Sequence, residues 1–227
     1  MSSYEITYKL EYENEKSDTF SVEFDEVTGE LIDKDSSIDK AWVRLETNKC
    51  SHCPLNEEDY PRCPMASGLD HLVEHFKDTK SYWTAKVTVT TKDRIYQKDT
   101  DLQNALFGIF GLIMASSACP YMKFLRPMAR FHLPFSNIDE TMIRSTSMYL
   151  LSQFFVAQKG GKGDFTLENF KKHYEDINTV NRGIINRIKG VGKGDTQANV
   201  ITILDTFAML LSMEISEDLS GIEKFFK

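Results

Sequence analysis

Apolar and polar residues alternate with a period of two along the first part of the chain. The alternation is clearest over residues 4–12 and recurs over 20–24 and 83–89. Two shorter stretches, 42–45 and 93–96, add weaker candidates. A period of two is typical of strands that bury one face against a core. We therefore predict an antiparallel sheet within roughly the first hundred residues.

From about residue 100 the apolar residues recur every three to four positions, which is typical of amphipathic helices. Residues that commonly cap helices precede these segments. The predicted helix starts are Thr100 or Asp101, Ser136, Thr166, Asp195 and, for a short last helix, Ser216. The fold class is therefore α+β, with an N-terminal antiparallel sheet and cysteine-bearing loop in 1–99 and a C-terminal helical bundle in 100–227. The two parts could also form one continuous domain.

The net charge of the 227-residue chain is −7 and is unevenly distributed. Residues 1–40 contain twelve acidic residues and four lysines, so the remainder is close to neutral. A negative chain is a poor partner for nucleic acid or for an anionic membrane surface, because both carry negative charge themselves. We interpret the acidic excess as a solvated face of the sheet and expect neither partner.

The ends and the apolar stretches predict a cytoplasmic protein. The first ten residues lack the basic and apolar regions of a secretory signal. The most apolar stretch, 105–118, covers about fourteen residues, whereas a membrane span needs roughly twenty. Disulfides are rare in the reducing cytoplasm, so cysteines there indicate metal ligands or catalytic thiols before they indicate bridges.

The chain has four cysteines: Cys50, Cys53, Cys63 and Cys119. Two intervening residues between the first two allow both thiolates to point at one ion, as in many metal sites. Cys63 follows a polar loop that could fold back, and Cys119 ends an apolar helix. Three of the four directly precede proline, which fixes the chain direction after a ligand. We predict a four-cysteine site that joins the sheet to the bundle and couples metal binding to folding.

Two occupants suit four thiolates. Structural zinc is the first expectation because Zn²⁺ is commonly held by four cysteines. The alternative is a [4Fe–4S] cluster, since iron–sulfur motifs also end in Cys-Pro and the chain has only one C-x2-C pair. The site could also lack metal. Cys119 could instead be a small buried apolar residue, with His52 or His71 as fourth ligand, or a catalytic thiol with His132 as base.

A second segment, residues 119–135, combines rigidity with positive charge. It contains three prolines and no acidic residue. Arg126 and Arg130 stand four residues apart and could clamp an anion, with His132 close by. In the other interpretation these arginines pair with the acidic sheet region or with Glu140. If the protein has a small-ligand site, we expect it at Arg126, Arg130 and His132.

The two cysteine-bearing segments carry a family resemblance. The residues concerned are Cys50, Cys53-Pro54-Leu55, Cys63-Pro64-Met65-Ala66, Cys119-Pro120 and the stretch from Arg126 to Phe135. In this pattern the chain resembles an uncharacterised family of bacterial proteins over nearly its whole length. The resemblance implies a bacterial cytoplasmic setting. The family has no assigned activity, so the resemblance adds no mechanism.

The sequence favours a metal-binding protein whose role is binding or regulation. With zinc the cysteine site is structural, and the partner is expected to be a protein or a small anionic ligand. With an iron–sulfur cluster the protein would sense oxidants or transfer electrons. A small enzyme using the arginine and histidine residues beside Cys119 is the third hypothesis. No complete catalytic set is visible, and the catalytic residues of such an enzyme are unknown.

Overall fold

The computed structural model describes residues 2–32, 40–189 and 191–227. Its N-terminal part is a four-stranded antiparallel sheet with the strand order β2-β1-β3-β4. The strands are β1 (Ser3–Tyr12), β2 (Ser17–Asp25), β3 (Thr84–Thr90) and β4 (Ile95–Asp101). The predicted antiparallel sheet is therefore confirmed. Asp33, Asp35 and Asp39 of the acidic N-terminal region lie outside the described residues.

The period-two alternation sets which face of the sheet is buried. Tyr8 in the central strand β1 stands opposite Phe20 of β2 and Val89 of β3. Ile6, Tyr8 and Leu10 are fully buried, while Glu5 and Lys9 face solvent. The sheet thus buries one apolar face and leaves a polar face in water, as the alternation predicts.

The remainder of the chain is largely helical. The α-helices are α1 (Pro64–Phe76), α2 (Leu102–Ser116), α3 (Arg126–Arg130), α4 (Ile138–Gln158), α5 (Glu168–Ile188), α6 (Thr196–Ser216) and α7 (Ser220–Glu223). Two 3₁₀ helices, Pro120–Leu125 and Lys224–Phe226, complete the set among the described residues. The predicted α+β class, with helices following the sheet, is confirmed.

The apolar helix α2 connects the sheet to the other helices. It contacts β2, β3 and β4 on one side and α1, α3 and α6 on others. Leu106, Ile109 and Phe110 are fully buried along it. Buried side chains from the sheet and the helices form one hydrophobic core, and β4 continues across the predicted boundary at residue 99.

Residues 42–45 differ from the sequence prediction. They form turns, and a single β-bridge between Arg44 and Arg62 replaces the predicted strand. Val43 and Leu45 are nevertheless buried. Trp42 is buried as well, so the apolar residues of this stretch predict burial correctly although the stretch forms no strand.

Three predicted helix starts differ from the observed ones, and capping explains the first of the three shifts. Asn137 replaces Ser136 because its side-chain oxygen accepts from the amide of Glu140, whose carboxylate accepts from the amide of Asn137. This reciprocal pair is a capping box. Leu167, in the left-handed region, precedes α5 in place of Thr166. The last α-helix begins at Ser220 and not at Ser216.

Helix α6 is the most apolar of the three 21-residue helices α4, α5 and α6. Among the described residues it alone has the length and composition of a membrane span, with a mean hydropathy of 1.5 and 28% of that window buried. Helix α2 and the segment Pro120–Arg130 meet the same criterion only as a pair bent by 114°. One such helix is weak support for a membrane span, since core helices of soluble proteins can have the same length and apolar composition.

Asp101 caps α2, and its removal should weaken the link between sheet and helices. Its side chain accepts from the backbone and side-chain amides of Asn104 at 2.9 Å. Losing such a cap costs about 1 kcal/mol, so Asp101→Ala should lower the free energy of unfolding in urea by this amount. Thr100→Val, which removes the other predicted cap, should change it by less than about 0.5 kcal/mol. Equal effects of the two variants would contradict the assignment.

Candidate functional site

The four cysteines come from three places in the chain. Cys50 and Cys53 lie in one turn, closed by a 3.0 Å hydrogen bond from the amide of Cys53 to the carbonyl of Cys50. Cys63 directly precedes α1, and Cys119 directly precedes the 3₁₀ helix Pro120–Leu125. We call these four side chains the thiol cluster.

The prolines after Cys63 and Cys119 fix how these two thiols are presented. Both cysteines are in the extended conformation, which a following proline favours, and each proline takes the first position of a helix. Neither thiol makes a capping hydrogen bond to its own helix. The two sulfur atoms are therefore not engaged in capping the helices that follow them.

Electrostatic coupling shows that the thiols are neighbours in space. Burial raises the pKa of the Cys119 thiol to about 12, and the nearby thiols of Cys63, Cys50 and Cys53 raise it further. Burial also raises the pKa of Cys50, again with contributions from Cys63 and Cys53. Residues up to 69 positions apart in sequence thus gather in one place beside α5 and the 3₁₀ helix Pro120–Leu125.

The thiol cluster does not have the arrangement of a single-ion site. Within residues 2–32, 40–189 and 191–227, no group of three or more His, Cys, Asp or Glu side chains is arranged to hold a metal ion. All four cysteines are free and half-buried. The thiols thus influence one another's pKa values, although no such group is found among the described residues.

Helix α5 approaches the thiol cluster closely at Gly183. A Cβ atom added at Gly183 would lie 2.6 Å from the sulfur of Cys50, far inside van der Waals contact. Gly183 is buried in the middle of the helix. Glycine is a poor helix former, so its use here keeps space for the Cys50 sulfur.

Arg187, one turn further along α5, fixes the loop that leads to the cysteines. Its guanidinium donates hydrogen bonds to the carbonyls of Trp42 at 3.0 Å, Arg44 at 2.6 Å and Leu45 at 2.6 Å. The side chain is only 3% exposed. Hydrogen bonds from a buried charge to carbonyls are strong, so Arg187 holds residues 42–45 against α5.

The charge of Arg187 faces the thiol cluster without a carboxylate to balance it. Among the described residues no carboxylate pairs with this guanidinium, and its Nε has no hydrogen-bond partner. Its charge opposes the rise in the pKa of Cys50, so the two side chains are near each other. A buried cation normally has an anionic partner, and the thiol cluster is the group placed to provide one.

His52 and Tyr121 cover one side of the thiol cluster. Their rings stack with centroids 4.0 Å apart, and the Tyr121 hydroxyl donates to the carbonyl of His52 at 2.6 Å. Among the described residues neither buried ring nitrogen of His52 has a hydrogen-bond partner, and its Nε2 lies 3.8 Å from a carboxylate oxygen of Asp176. His71, the other histidine considered as a fourth ligand, instead packs against Phe20 of β2 and His75.

The predicted anion patch is not assembled as such. Arg126 pairs with Glu30 at 2.9 Å, and Arg130 pairs with Glu26 at 3.5 Å and lies over the ring of Tyr4. Both arginines thus bind the acidic region after β2, which is the other interpretation of this segment. They connect the segment around α3 to the sheet and present no open clamp.

His132, the third residue of that patch, is engaged with the sheet. Its Nε2 shares a 2.5 Å hydrogen bond with the hydroxyl of the fully buried Tyr8. Burial, and then the charge of Arg144, lowers the pKa of His132 to about 3, so the ring is neutral near pH 7. A Cys119 thiol with a pKa of about 12 and a histidine held by Tyr8 lack the properties of a nucleophile and its base.

Fold and site together define an α+β protein in which four thiols gather beside helix α5. A family model described as Domain of unknown function (DUF6901) matches residues 6–227, so the chain belongs to that family. This agrees with a resemblance to a family that has no assigned activity. No curated protein and no solved structure matches the chain.

Sequence reasoning did not identify Gly183 or Arg187 as part of the site. Arg187 stands among polar residues of a helix with a mildly basic side, where an arginine is usually solvated. The sequence feature that indicates a buried position for Arg187 is its place next to Ile184 and Ile188 on the apolar face of α5. A charged residue within an apolar stripe indicates a buried partner.

Arg187→Met should destabilise the protein strongly. The variant keeps the apolar stem but removes three hydrogen bonds and leaves only the Arg44 carbonyl with another donor, the amide of Thr47, which should lower the free energy of unfolding by about 3 kcal/mol. Arg182→Met, at an exposed position of the same helix, should change it by less than about 0.5 kcal/mol. Urea unfolding of both variants tests this, and a mild effect of Arg187→Met would refute the role given to this side chain.

His132 should make stability depend on acid pH. An unfolded histidine takes up a proton near pH 6.5, whereas His132 in the folded chain does so only near pH 3. Protonation therefore favours the unfolded chain as the pH falls from 6.5 towards 3, at up to about 1.4 kcal/mol per pH unit. His132→Gln, which can still accept from Tyr8, should show a shallower loss of stability over this range. Identical slopes would mean that His132 is not buried as a neutral ring.

Proposed function

We propose that Cys50, Cys53, Cys63 and Cys119 are the ligands of one metal centre. The centre would link the loop of residues 40–63 to the helical half, and the protein would act in the cytoplasm through binding or regulation and not as an enzyme. The observation that carries this proposal is the gathering of all four thiols of the chain beside the buried, unbalanced charge of Arg187.

Charge balance supports an anionic centre at this position. Without metal, burial and mutual repulsion hold the thiols of Cys50 and Cys119 in their neutral form. A metal centre with four thiolates carries a net negative charge, because the ligands bind deprotonated. Such a centre would supply the anionic partner that Arg187 lacks among the described residues, so Arg187 fits the loaded form better than the metal-free form.

Of the two occupants, an iron–sulfur cluster requires the four sulfurs to converge less closely than zinc does. A zinc ion requires four sulfurs in a tight tetrahedron about 2.3 Å from one point. The thiols lie near one another without an arrangement for a single ion among the described residues. A [4Fe–4S] cluster holds its four cysteine sulfurs farther apart, one on each iron. Structural zinc, with the thiols drawn together on binding, is the alternative.

With a [4Fe–4S] cluster, the role that fits best is redox sensing or electron transfer. The cluster itself would gain or lose an electron, and the protein would supply burial, ligands and the nearby positive charge. Arg187, by stabilising the more negative reduced form, would raise the reduction potential. The half-buried position of the cysteines leaves the centre close to the surface.

The decisive experiment is metal analysis of protein purified without oxygen. We expect a brown sample that absorbs near 400 nm and contains about four iron and four sulfide per chain. Cys119→Ser and Cys53→Ser should both abolish the colour, while Ser51→Ala, at an exposed position between two ligands, should keep it. A colourless protein with about one zinc per chain would support the alternative occupant. A protein with no metal and four titratable thiols would overturn the proposal.

Gly183→Ala tests the geometry without removing a ligand. The added methyl group must displace the Cys50 sulfur, while alanine favours the helix by up to about 1 kcal/mol. We expect reduced metal loading in a chain that remains folded by circular dichroism. Gly111→Ala is the matched control, because the nearest atom to its methyl group is 3.5 Å away on Leu204. Equal loading of the two variants would show that Cys50 is not a ligand.

A further inference from the structure

A partly open cavity of about 140 Å³ lies between α2, α5, α6 and the segment around α3. Its walls are mainly apolar, with Phe107 and Ala115 from α2, Ile177 from α5 and Phe207 and Leu211 from α6 among them. The cavity shares α5 with the thiol cluster but is lined by none of the four cysteines. It is therefore a second feature, separate from the proposed metal centre.

Most polar side chains of the cavity wall already have partners. His132 bonds to Tyr8, Ser136 to Thr141, Arg144 to the carbonyls of Met128 and Phe131, and Tyr174 to Ser145. These groups shape the wall and hold neighbouring helices together. Among the described residues, these groups make their hydrogen bonds to other groups of the protein.

Asn181 is the exception. This side chain is only 1% exposed and lines the cavity, and the part of the chain that the structure describes provides neither a donor for its oxygen nor an acceptor for its nitrogen. Buried amides are almost always hydrogen-bonded, because leaving them unpaired costs free energy. Because Asn181 lines the cavity, a molecule bound there could satisfy this amide once the side chain turns towards it.

We propose that the cavity binds a small, mostly apolar molecule that presents one hydrogen-bond donor beside one acceptor. A lactam, a carboxamide or a protonated carboxylic acid has this pattern and pairs with the Asn181 amide through two hydrogen bonds. The apolar walls take the body of the molecule. Binding pockets commonly combine apolar walls with one or two polar groups that fix orientation.

The volume sets the size of the ligand. An apolar cavity of roughly 150 Å³ in another protein accommodates benzene. The cavity here is of similar size, so its ligand has about one six-membered ring or a short branched chain. Larger molecules such as nucleotides would not fit within its walls.

A matched pair of probes tests the proposal on the full-length protein as purified. 2-Pyridone has a ring of the right size and an amide edge, and toluene has the same number of non-hydrogen atoms without polar groups. We expect 2-pyridone to bind with a Kd of about 1 mM or lower, measured by NMR chemical-shift titration. Shifted resonances should include those of residues around the cavity.

Asn181→Leu should reverse the selectivity. Leucine has nearly the same shape without hydrogen-bonding atoms, so 2-pyridone should bind at least about tenfold more weakly while toluene binds equally well or better. The variant should fold, since it removes an unpaired buried amide. Unchanged affinity for 2-pyridone in Asn181→Leu, or no binding of 2-pyridone to the wild-type protein, would overturn the proposal and leave a cavity filled by water.

Gly111→Ala locates the bound molecule. Gly111 lines the cavity, and a methyl group there has room in the fold but occupies cavity space. We expect weaker binding of both probes with an unchanged fold. Gly183→Ala, which acts at the thiol cluster, should leave probe binding unchanged. If Gly111→Ala binds both probes as the wild type does, the probes bind elsewhere and the proposal fails.

Discussion

The arrangement of the candidate site depends on one buried guanidinium. Arg187 donates hydrogen bonds to three backbone carbonyls within residues 42–45. It thereby holds a loop without regular structure against α5. Its hydrogen bonds replace the strand pairing that this loop lacks. Without them the loop would have unpaired carbonyls in the core, and Cys50 and Cys53 would lose their fixed position relative to Cys119.

Different faces of helix α5 border two neighbouring features, the thiol cluster and the apolar cavity. Gly183 and Arg187 are turned towards the loop and the thiol cluster, whereas Ile177 and Asn181 line the apolar cavity. The helix is amphipathic in the ordinary sense, with a broad apolar stripe. Arg187 and Asn181 are polar residues within that stripe. Arg187 lies at the thiol cluster and Asn181 lies at the cavity.

The sheet and the helices could be predicted from sequence because both depend on local periodicity. The alternation over residues 4–12 and the helical spacing after residue 100 each report burial directly. Residues 42–45 could not be predicted correctly, because their alternation reflects burial under α5 and not pairing with a strand. Helix starts shifted by one residue where a side chain such as that of Asn137 made the stronger cap.

The candidate site was predictable only in part. The spacing of Cys50 and Cys53, and the proline after Cys119, indicated a common site on chemical grounds. The pairing of Arg126 and Arg130 with acidic residues after β2, and the contact of His132 with Tyr8, depend on long-range packing that no local pattern contains. The same holds for Asn181, whose lack of a partner is a property of the folded protein.

The contact between Trp42 and Arg187 joins residues 145 positions apart. During synthesis the N-terminal sheet strands and three of the four cysteines emerge long before α5 is made. The loop of residues 40–63 can reach its final position only when residue 187 has left the ribosome. Assembly of any centre on these cysteines is thus a late event, which follows synthesis of most of the chain and leaves the early thiols exposed to the cellular environment until then.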